Sequence, residues 1–204
     1  MNARSQPRAH APATLRNREP ILAELRRVLP SRGLLLEIAS GTGEHAAFMT
    51  PQLTGLEWQP SDTRAEALDE IDGYARDSSC ARIRPAIRLD VTAPQWPLAQ
   101  ADAVFCANMI HIAPWAAAEG LFTGAGKILG FGAPLVLYGP FKRGGAHTAP
   151  SNAQFDEALR SQDPRWGVRC LDGDVVPLAA RSGFRLGSAV AMPANNLTVV
   201  FLRH

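Results

Sequence analysis

Glu37 stands four residues ahead of the turn Gly41-Thr42-Gly43, and a second acid, Asp62, follows later in the chain. A Gly-x-Gly turn admits positive φ and lets a ligand approach bare backbone, while a helix opening behind it presents unpaired N–H groups. The run Gly41 to Ala46 also satisfies the G-x-G-x-x-A pattern of dinucleotide sites, with Asp62 spaced to meet a ribose. Further polar groups follow at Asp90, Asn108, His111 and Tyr138. An imidazole of ordinary pKa, near ~6.5, can take a proton from a nucleophile at neutral pH. His111 is therefore a candidate general base; its bland alternative is a backbone hydrogen bond that orients the loop before Pro114.

These residues fall where strands should end. Leu34 to Ala39 is a short apolar run entered from Gly33, fitting a strand buried on both faces. Leu56 to Gln59 predicts a second strand ending at Pro60-Ser61-Asp62, Ala86 to Leu89 a third ending at Asp90, and Ala103 to Ala107 a fourth ending at Asn108. Leu135 to Tyr138 predicts a fifth. Phe184 to Ala191 and Leu197 to Leu202 read as a sixth and seventh, too close for a crossover helix and hence antiparallel. Helical spacing appears at Ile21, Leu22, Leu25, Val28 and Leu29, with Asn17 as cap and Pro20 in the first turn. It recurs at Ala65, Leu68, Ile71 and Ala75, and over Trp115 to Leu129, where Gly120, Gly124 and Gly126 argue against continuity. Ser151 to Gln154 reads as a capping box opening another helix. The alternation predicts an α/β fold, a three-layer Rossmann-like sheet of seven mostly parallel strands with an antiparallel C-terminal strand. In such sheets ligands bind beyond the carboxyl ends of the strands.

The 204 residues, 46% apolar and carrying a net charge of +2, suit one domain. Seven arginines fall in the first 32 residues, and 1–16 reads as a mobile arm preceding a domain over 17–204 with an insertion at about 141–170. The basic residues are otherwise scattered among 19 acids, which argues against a nucleic-acid partner. No apolar run reaches the ~20 residues of a membrane span, and the arginine-rich opening is not expected to act as a secretory signal, since no apolar core follows it early enough. Cys80, Cys106 and Cys170 form no C-x-x-C pair, consistent with a reducing, cytoplasmic setting. His45, His111 and His147 lack the spacing of a metal cluster, so no metal is expected.

Two features favour a cofactor other than a dinucleotide. The Glu37 carboxylate would repel a pyrophosphate but favour an ammonium or sulfonium, and no second half is expected after the sheet to hold a nicotinamide. S-adenosylmethionine, cationic and without phosphate, suits the turn. The run Glu37-Ile38-Ala39-Ser40-Gly41-Thr42-Gly43-Glu44-His45 resembles motif I of class I S-adenosylmethionine-dependent methyltransferases. More narrowly, Trp58-Gln59-Pro60-Ser61-Asp62, Asn108 to Trp115, Leu137 to Phe141 and Pro193 to Asn196 resemble the methyltransferase-like protein twenty-six family. The resemblance implies that Gly41 and Gly43 bend around the methionine portion with Glu37 near its ammonium. It further implies that Asp62 accepts from the ribose hydroxyls, Asp90 lies near the adenine amino group, and Asn108 flanks the cofactor.

Methyl transfer needs a nucleophile aligned behind the methyl group and usually its deprotonation. His111 would be the base. Trp115, Tyr138 and Phe141, with Trp166, either wall a substrate pocket or fill the core. Asn152 and Asn195-Asn196 either contact substrate or satisfy turns. Lys142 and Arg143 either meet an anionic substrate or belong to a solvated surface, and Gly144-Gly145 with His147 suggest a mobile lid. The expected activity is methylation of a small-molecule nucleophile. The alternatives are an NAD(P)-dependent oxidoreductase and a catalytically silent S-adenosylmethionine-binding regulatory protein.

Overall fold

The computed structural model describes residues 12–204. One sheet holds seven strands: β1 (Gly33–Ile38), β2 (Leu56–Asp62), β3 (Ile87–Arg88), β4 (Ala103–Ala107), β5 (Pro134–Gly139), β6 (Phe184–Met192) and β7 (Asn196–Arg203). Their order is β3-β2-β1-β4-β5-β7-β6. The first five are mutually parallel, and β7 runs antiparallel to both of its neighbours. The expected fold class is thus the observed one. Order reverses between β1 and β4, the point at which a doubly wound sheet opens a crevice.

Successive side chains of a strand point to opposite faces, and here both faces are covered. Leu36, Ile38, Val104, Leu135 and Leu137 pack with Leu121, Phe122 and Ala125 of α4 (Trp115–Ile128) and with Leu178 and Ala179 of α6 (Val176–Arg181). Leu35, Trp58, Phe105 and Val136 face the other way. There they meet Ile21, Leu22 and Leu25 of α1 (Pro12–Val28) and Ala46 and Met49 of α2 (Glu44–Met49), with Ala75 of α3 (Ala65–Ser78) alongside. A further helix, α5 (Pro150–Gln162), reaches toward the β6–β7 turn.

Several local expectations are corrected. Helix α1 begins no later than Pro12, so Asn17 is interior rather than a cap and Pro20 lies inside the helix. Residues 1–11 of the expected arm lie outside the described residues, whereas 12–16 are helical. A mid-helix proline costs about 3 kcal/mol. Full burial of Ile21 and Leu25 offsets this, at roughly 1.5–3 kcal/mol for each side chain. Strand β2 continues through Pro60 to Asp62 because Ser40 and Ser61 lace it to the end of β1: the Ser40 amide donates to the Ser61 carbonyl at 2.8 Å, and the Ser61 amide donates to Ser40 Oγ at 3.1 Å. The helix over Ser151 to Gln154 starts at Pro150 after Ala149, without a side-chain cap.

Helix α4 runs unbroken through its three glycines. Each glycine admits a neighbour. A Cβ at Gly120 would stand 2.4 Å from the Val91 carbonyl oxygen, and one at Gly124 would stand 2.1 Å from the Trp96 ring. The segment after β3 holds no helix and touches α4 at these two gaps. Helix propensity alone would make Gly120→Ala stabilising by ~1 kcal/mol, but a backbone carbonyl cannot step aside. We expect Gly120→Ala to lower unfolding free energy by about 2 kcal/mol, while Gly130→Ala, with open space around its Cβ, stays within ~0.5 kcal/mol. Urea titrations of both variants check this.

Candidate functional site

The turn after β1 is built from backbone conformation. Ala39, Gly41 and Gly43 have φ of 56°, 61° and 88°. The two glycines serve different ends. A Cβ at Gly43 would stand 2.8 Å from the Ile71 Cα, so this glycine lets α2 and α3 pack together; a Cβ at Gly41 would meet nothing within 4 Å. Gly41 therefore presents bare backbone to open space. Its N–H donates to Asp62 Oδ2 at 3.1 Å, and Asp62 Oδ1 accepts from the Arg64 amide at 3.0 Å and from Arg64 Nε at 3.2 Å. Asp62 thus staples the turn of β1 to the end of β2. Each carboxylate oxygen accepts more than one hydrogen bond, so the same group can also receive hydroxyl donors.

Glu37 is 1% exposed, on the α1 side of the sheet. Trp58 Nε1 donates to its Oε2 at 3.0 Å, and His45 Nδ1 lies 3.6 Å from its Oε1. Its negative charge underlies the turn, but a bound ammonium would meet it through this shell, not at an open surface. The other ring nitrogen of His45, Nε2, lies 3.0 Å from Asn17 Oδ1, and Asn17 in turn hydrogen-bonds the Tyr138 hydroxyl. A polar chain therefore runs from Glu37 under the turn to Tyr138 at the end of β5. Asn17 and His45 were not foreseen as site residues. Nothing in the pattern of α1 marks one buried asparagine, and His45 read only as part of the turn motif.

Asp90 is exposed beyond β3, and its Oδ1 accepts from the Thr92 amide at 2.8 Å and from Thr92 Oγ1 at 2.7 Å in a local turn. Asn108 ends β4 in the left-handed region at φ 62°, with its N–H donated to the Tyr138 carbonyl at 2.7 Å. It lines a cavity of about 630 Å³. The cavity also draws on Asn17, Tyr138, Asn152, Asn195 and Asn196, so the sheet brings five asparagines and a tyrosine together beside the β1–β4 reversal. Burial pushes the Tyr138 phenol up, although hydrogen bonds from Asn17 and Asn196 and the Arg16 guanidinium pull the other way. A larger cavity, about 760 Å³, runs between α4 and residues 91–99 and includes none of these strand-end groups.

His111 does not face that cavity. Its ring is fully buried, stacked edge-on with Phe141 at 4.8 Å between centroids, and its Nδ1 accepts from the Arg169 amide at 3.3 Å. Nε2 has no hydrogen-bond partner and abuts Gly139, where a Cβ would come within 2.6 Å. Burial, and secondarily the Arg169 guanidinium, lower its pKa to about 3, against smaller opposing effects of Asp156 and a Gly167 hydrogen bond. The geometry corrects the expectation of a general base, since a neutral, enclosed imidazole has neither access nor basicity. Arg169, unforeseen in the sequence, donates to the carbonyls of Ile110 at 3.0 Å and Ala113 at 2.7 Å and clamps this turn.

Two expected pocket walls are likewise corrected. Phe141 is fully buried in the core, and Trp115, the first residue of α4, packs at the edge of the core with the Arg169 guanidinium 5.6 Å over its ring. Of the three aromatic candidates, Tyr138 alone lines the cavity, and Ile112 and Phe155 supply its apolar surface. Lys142 and His147 are drawn inward to the buried Asp156, at 2.9 and 3.2 Å. The Gly144 amide donates to Asp172 at 2.8 Å, so the glycine pair is tied down where a lid was expected.

The model of the DUF938 family, whose members are of unknown function, matches residues 8–203. The chain belongs to the DUF938 family. Among solved structures, this DUF938 chain is similar to a putative O-methyltransferase of Nostoc punctiforme PCC 73102, with TM-score 0.81 and 16% identity over 93% of this chain and 56% of that one. It is also similar to an O-methyltransferase family protein of Burkholderia thailandensis, with TM-score 0.76 and 14% identity over 94% and 57%. A methyltransferase of calicheamicin biosynthesis in its SAH-bound form gives TM-score 0.72 and 17% identity over 91% and 54%. The chain spans little more than half the length of these three proteins. At such identities the likeness establishes a shared fold.

Proposed function

We propose that this DUF938 chain is an S-adenosylmethionine-dependent methyltransferase acting on a small molecule. The observation that carries the reading is a juxtaposition at the sheet's reversal point: Gly41, open and stapled to Asp62, lies in the turn after β1, and Asn108, at one end of the amide-lined cavity, directly follows the adjacent β4. The donor set fits this cofactor. Gly41 presents bare backbone to open space at a positive φ, Asp62 keeps acceptor capacity for ribose hydroxyls, and Glu37 beneath the turn favours a cation over a pyrophosphate. Asp90 would meet the adenine edge from β3, and Asn108 would border both cofactor and acceptor.

When bound, the cofactor supplies a methyl group on a sulfonium, open to displacement by an oxygen, nitrogen or sulfur nucleophile. The protein's share is positioning and exclusion of water. Tyr138 is held by Asn17 and Asn196 at the cavity wall, and the asparagines orient the acceptor. The motif likeness to the methyltransferase-like protein twenty-six family, and the names of the structural neighbours, support the same reading.

Calorimetric titration with S-adenosylmethionine and S-adenosylhomocysteine, and separately with NAD and NADP, tests it. Micromolar binding of both sulfur nucleosides and none of the dinucleotides is the expected result. Binding of NAD or NADP alone would return the glycine turn to an oxidoreductase, and binding of none would end the cofactor assignment.

A further inference from the structure

The cavity beyond β4 and β5 has a chemical signature of its own. Its polar lining is almost wholly neutral: five asparagines, Ser151 and the Tyr138 hydroxyl. Arg16 is the one charged residue among the described residues that line it, and no carboxylate joins it there. Its guanidinium is near enough to act on the Tyr138 hydroxyl electrostatically, which places positive charge at that wall. Ile112 and Phe155 flank the space and are 43% and 39% exposed, two of the five large apolar side chains left open on the described surface. Exposed apolar groups bordering a polar cleft mark a binding surface.

Each of these features selects. An ammonium entering the space would lose water and find amide oxygens but no carboxylate, and uncompensated desolvation of a charge is costly. A carboxylate would meet Arg16, whose fork of N–H donors suits it. Neutral groups would find donors and acceptors together, because each free amide offers both. Several of the amides are already fixed. Asn152 Nδ2 donates to Thr148 Oγ1 at 3.1 Å and to the Asn195 carbonyl at 2.9 Å, binding α5 to the β6–β7 turn. The cavity floor is therefore preorganised, which limits the ordering cost of a ligand.

We propose that this cavity takes a small acceptor with a flat apolar body and a neutral or anionic polar end, excludes cationic amines, and owes its preference for anions to Arg16. This rests on the methyltransferase reading only for the word acceptor; the binding preference stands on the lining. Three probes built on one phenyl ring separate the charges: benzoate, benzamide and benzylammonium, titrated against the full chain with and without S-adenosylhomocysteine. Side-chain amide NMR resonances of the asparagines report the location.

Benzoate is expected to bind at least tenfold more tightly than benzylammonium, with benzamide between them, and to shift the Asn152 and Asn195 resonances. Arg16→Gln, on an exposed part of α1, is expected to bring benzoate down to the benzamide level while benzamide changes less than twofold. Phe155→Ala should weaken all three. Equal binding of benzylammonium and benzoate overturns the proposal, as does an Arg16→Gln variant that affects all probes alike, or a set of probes that leaves the asparagine resonances unmoved. If benzoate seats as expected but S-adenosylhomocysteine does not bind, the methyltransferase reading falls and the cavity preference stands. If the nucleoside binds and no probe does, the reverse holds.

Discussion

Asp62→Ala is expected to weaken S-adenosylmethionine binding at least ~100-fold, the largest effect of any single change at the strand ends. Two losses combine. The variant removes the acceptor proposed for the ribose hydroxyls, and it frees the Gly41 N–H that now donates to Oδ2 at 3.1 Å. Hydrogen bonds to charged groups contribute roughly 1.5–3 kcal/mol each, and about 2.7 kcal/mol corresponds to 100-fold in affinity. Folding stability should fall less, by about 1–2 kcal/mol, because Asp62 is buried but the Ser40–Ser61 bonds still hold β1 to β2. Asp62→Asn gives an intermediate case, retaining shape while losing charge. Calorimetry of the three proteins, with urea melts alongside, separates the roles. Unchanged affinity in a destabilised Asp62→Ala protein would make this carboxylate a staple of the turn and nothing more.

The turn and its partner acid were legible because their signals are local: glycine at positive φ, an acid at a strand end, and the spacing between them. The sheet was legible for a related reason. Runs such as Leu34 to Ile38, buried on both faces, are hard to satisfy any other way. What failed depended on neighbours distant in sequence. The glycines of α4 looked like breaks because the Val91 carbonyl and the Trp96 ring that fill their gaps lie on another segment. Tyr138 and Phe141 looked equivalent as aromatic residues near the end of β5. Alternation along the strand turns Tyr138 toward α1 and the cavity, and the chain then carries Phe141 into the core beside His111. The cavity's asparagines come from α1, the end of β4, α5 and the β6–β7 turn, so no window of sequence contains more than two of them.

The same distinction bears on His111, where residue type suggested a base and burial decides otherwise. With its folded pKa lowered to about 3 against an ordinary value near 6.5, the imidazole stays neutral in the native protein throughout the range in which the unfolded chain takes up a proton. The sign follows from linkage: the unfolded state binds more protons, so stability falls with falling pH. His111 therefore costs nothing above about pH 6.5, and below it stability declines by about 1.4 kcal/mol per pH unit until the folded ring itself titrates. Between pH 6.5 and pH 5 the loss attributable to this residue should be about 2 kcal/mol. His111→Gln removes the titration. Urea unfolding at pH 7.5, 6.5, 5.5 and 5.0 should show a shallower decline in the variant, the difference between the two proteins isolating this imidazole from His45 and His147. The variant also surrenders the edge-on contact with Phe141 and the bond from the Arg169 amide, so it should be less stable at pH 7.5. Should it fail to fold, NMR of the wild-type ring supplies the test, with no titration of the His111 resonance expected above pH 4.5. Parallel pH profiles in the two proteins, or a ring that titrates near 6.5, would overturn the buried neutral imidazole and reopen its place as a base.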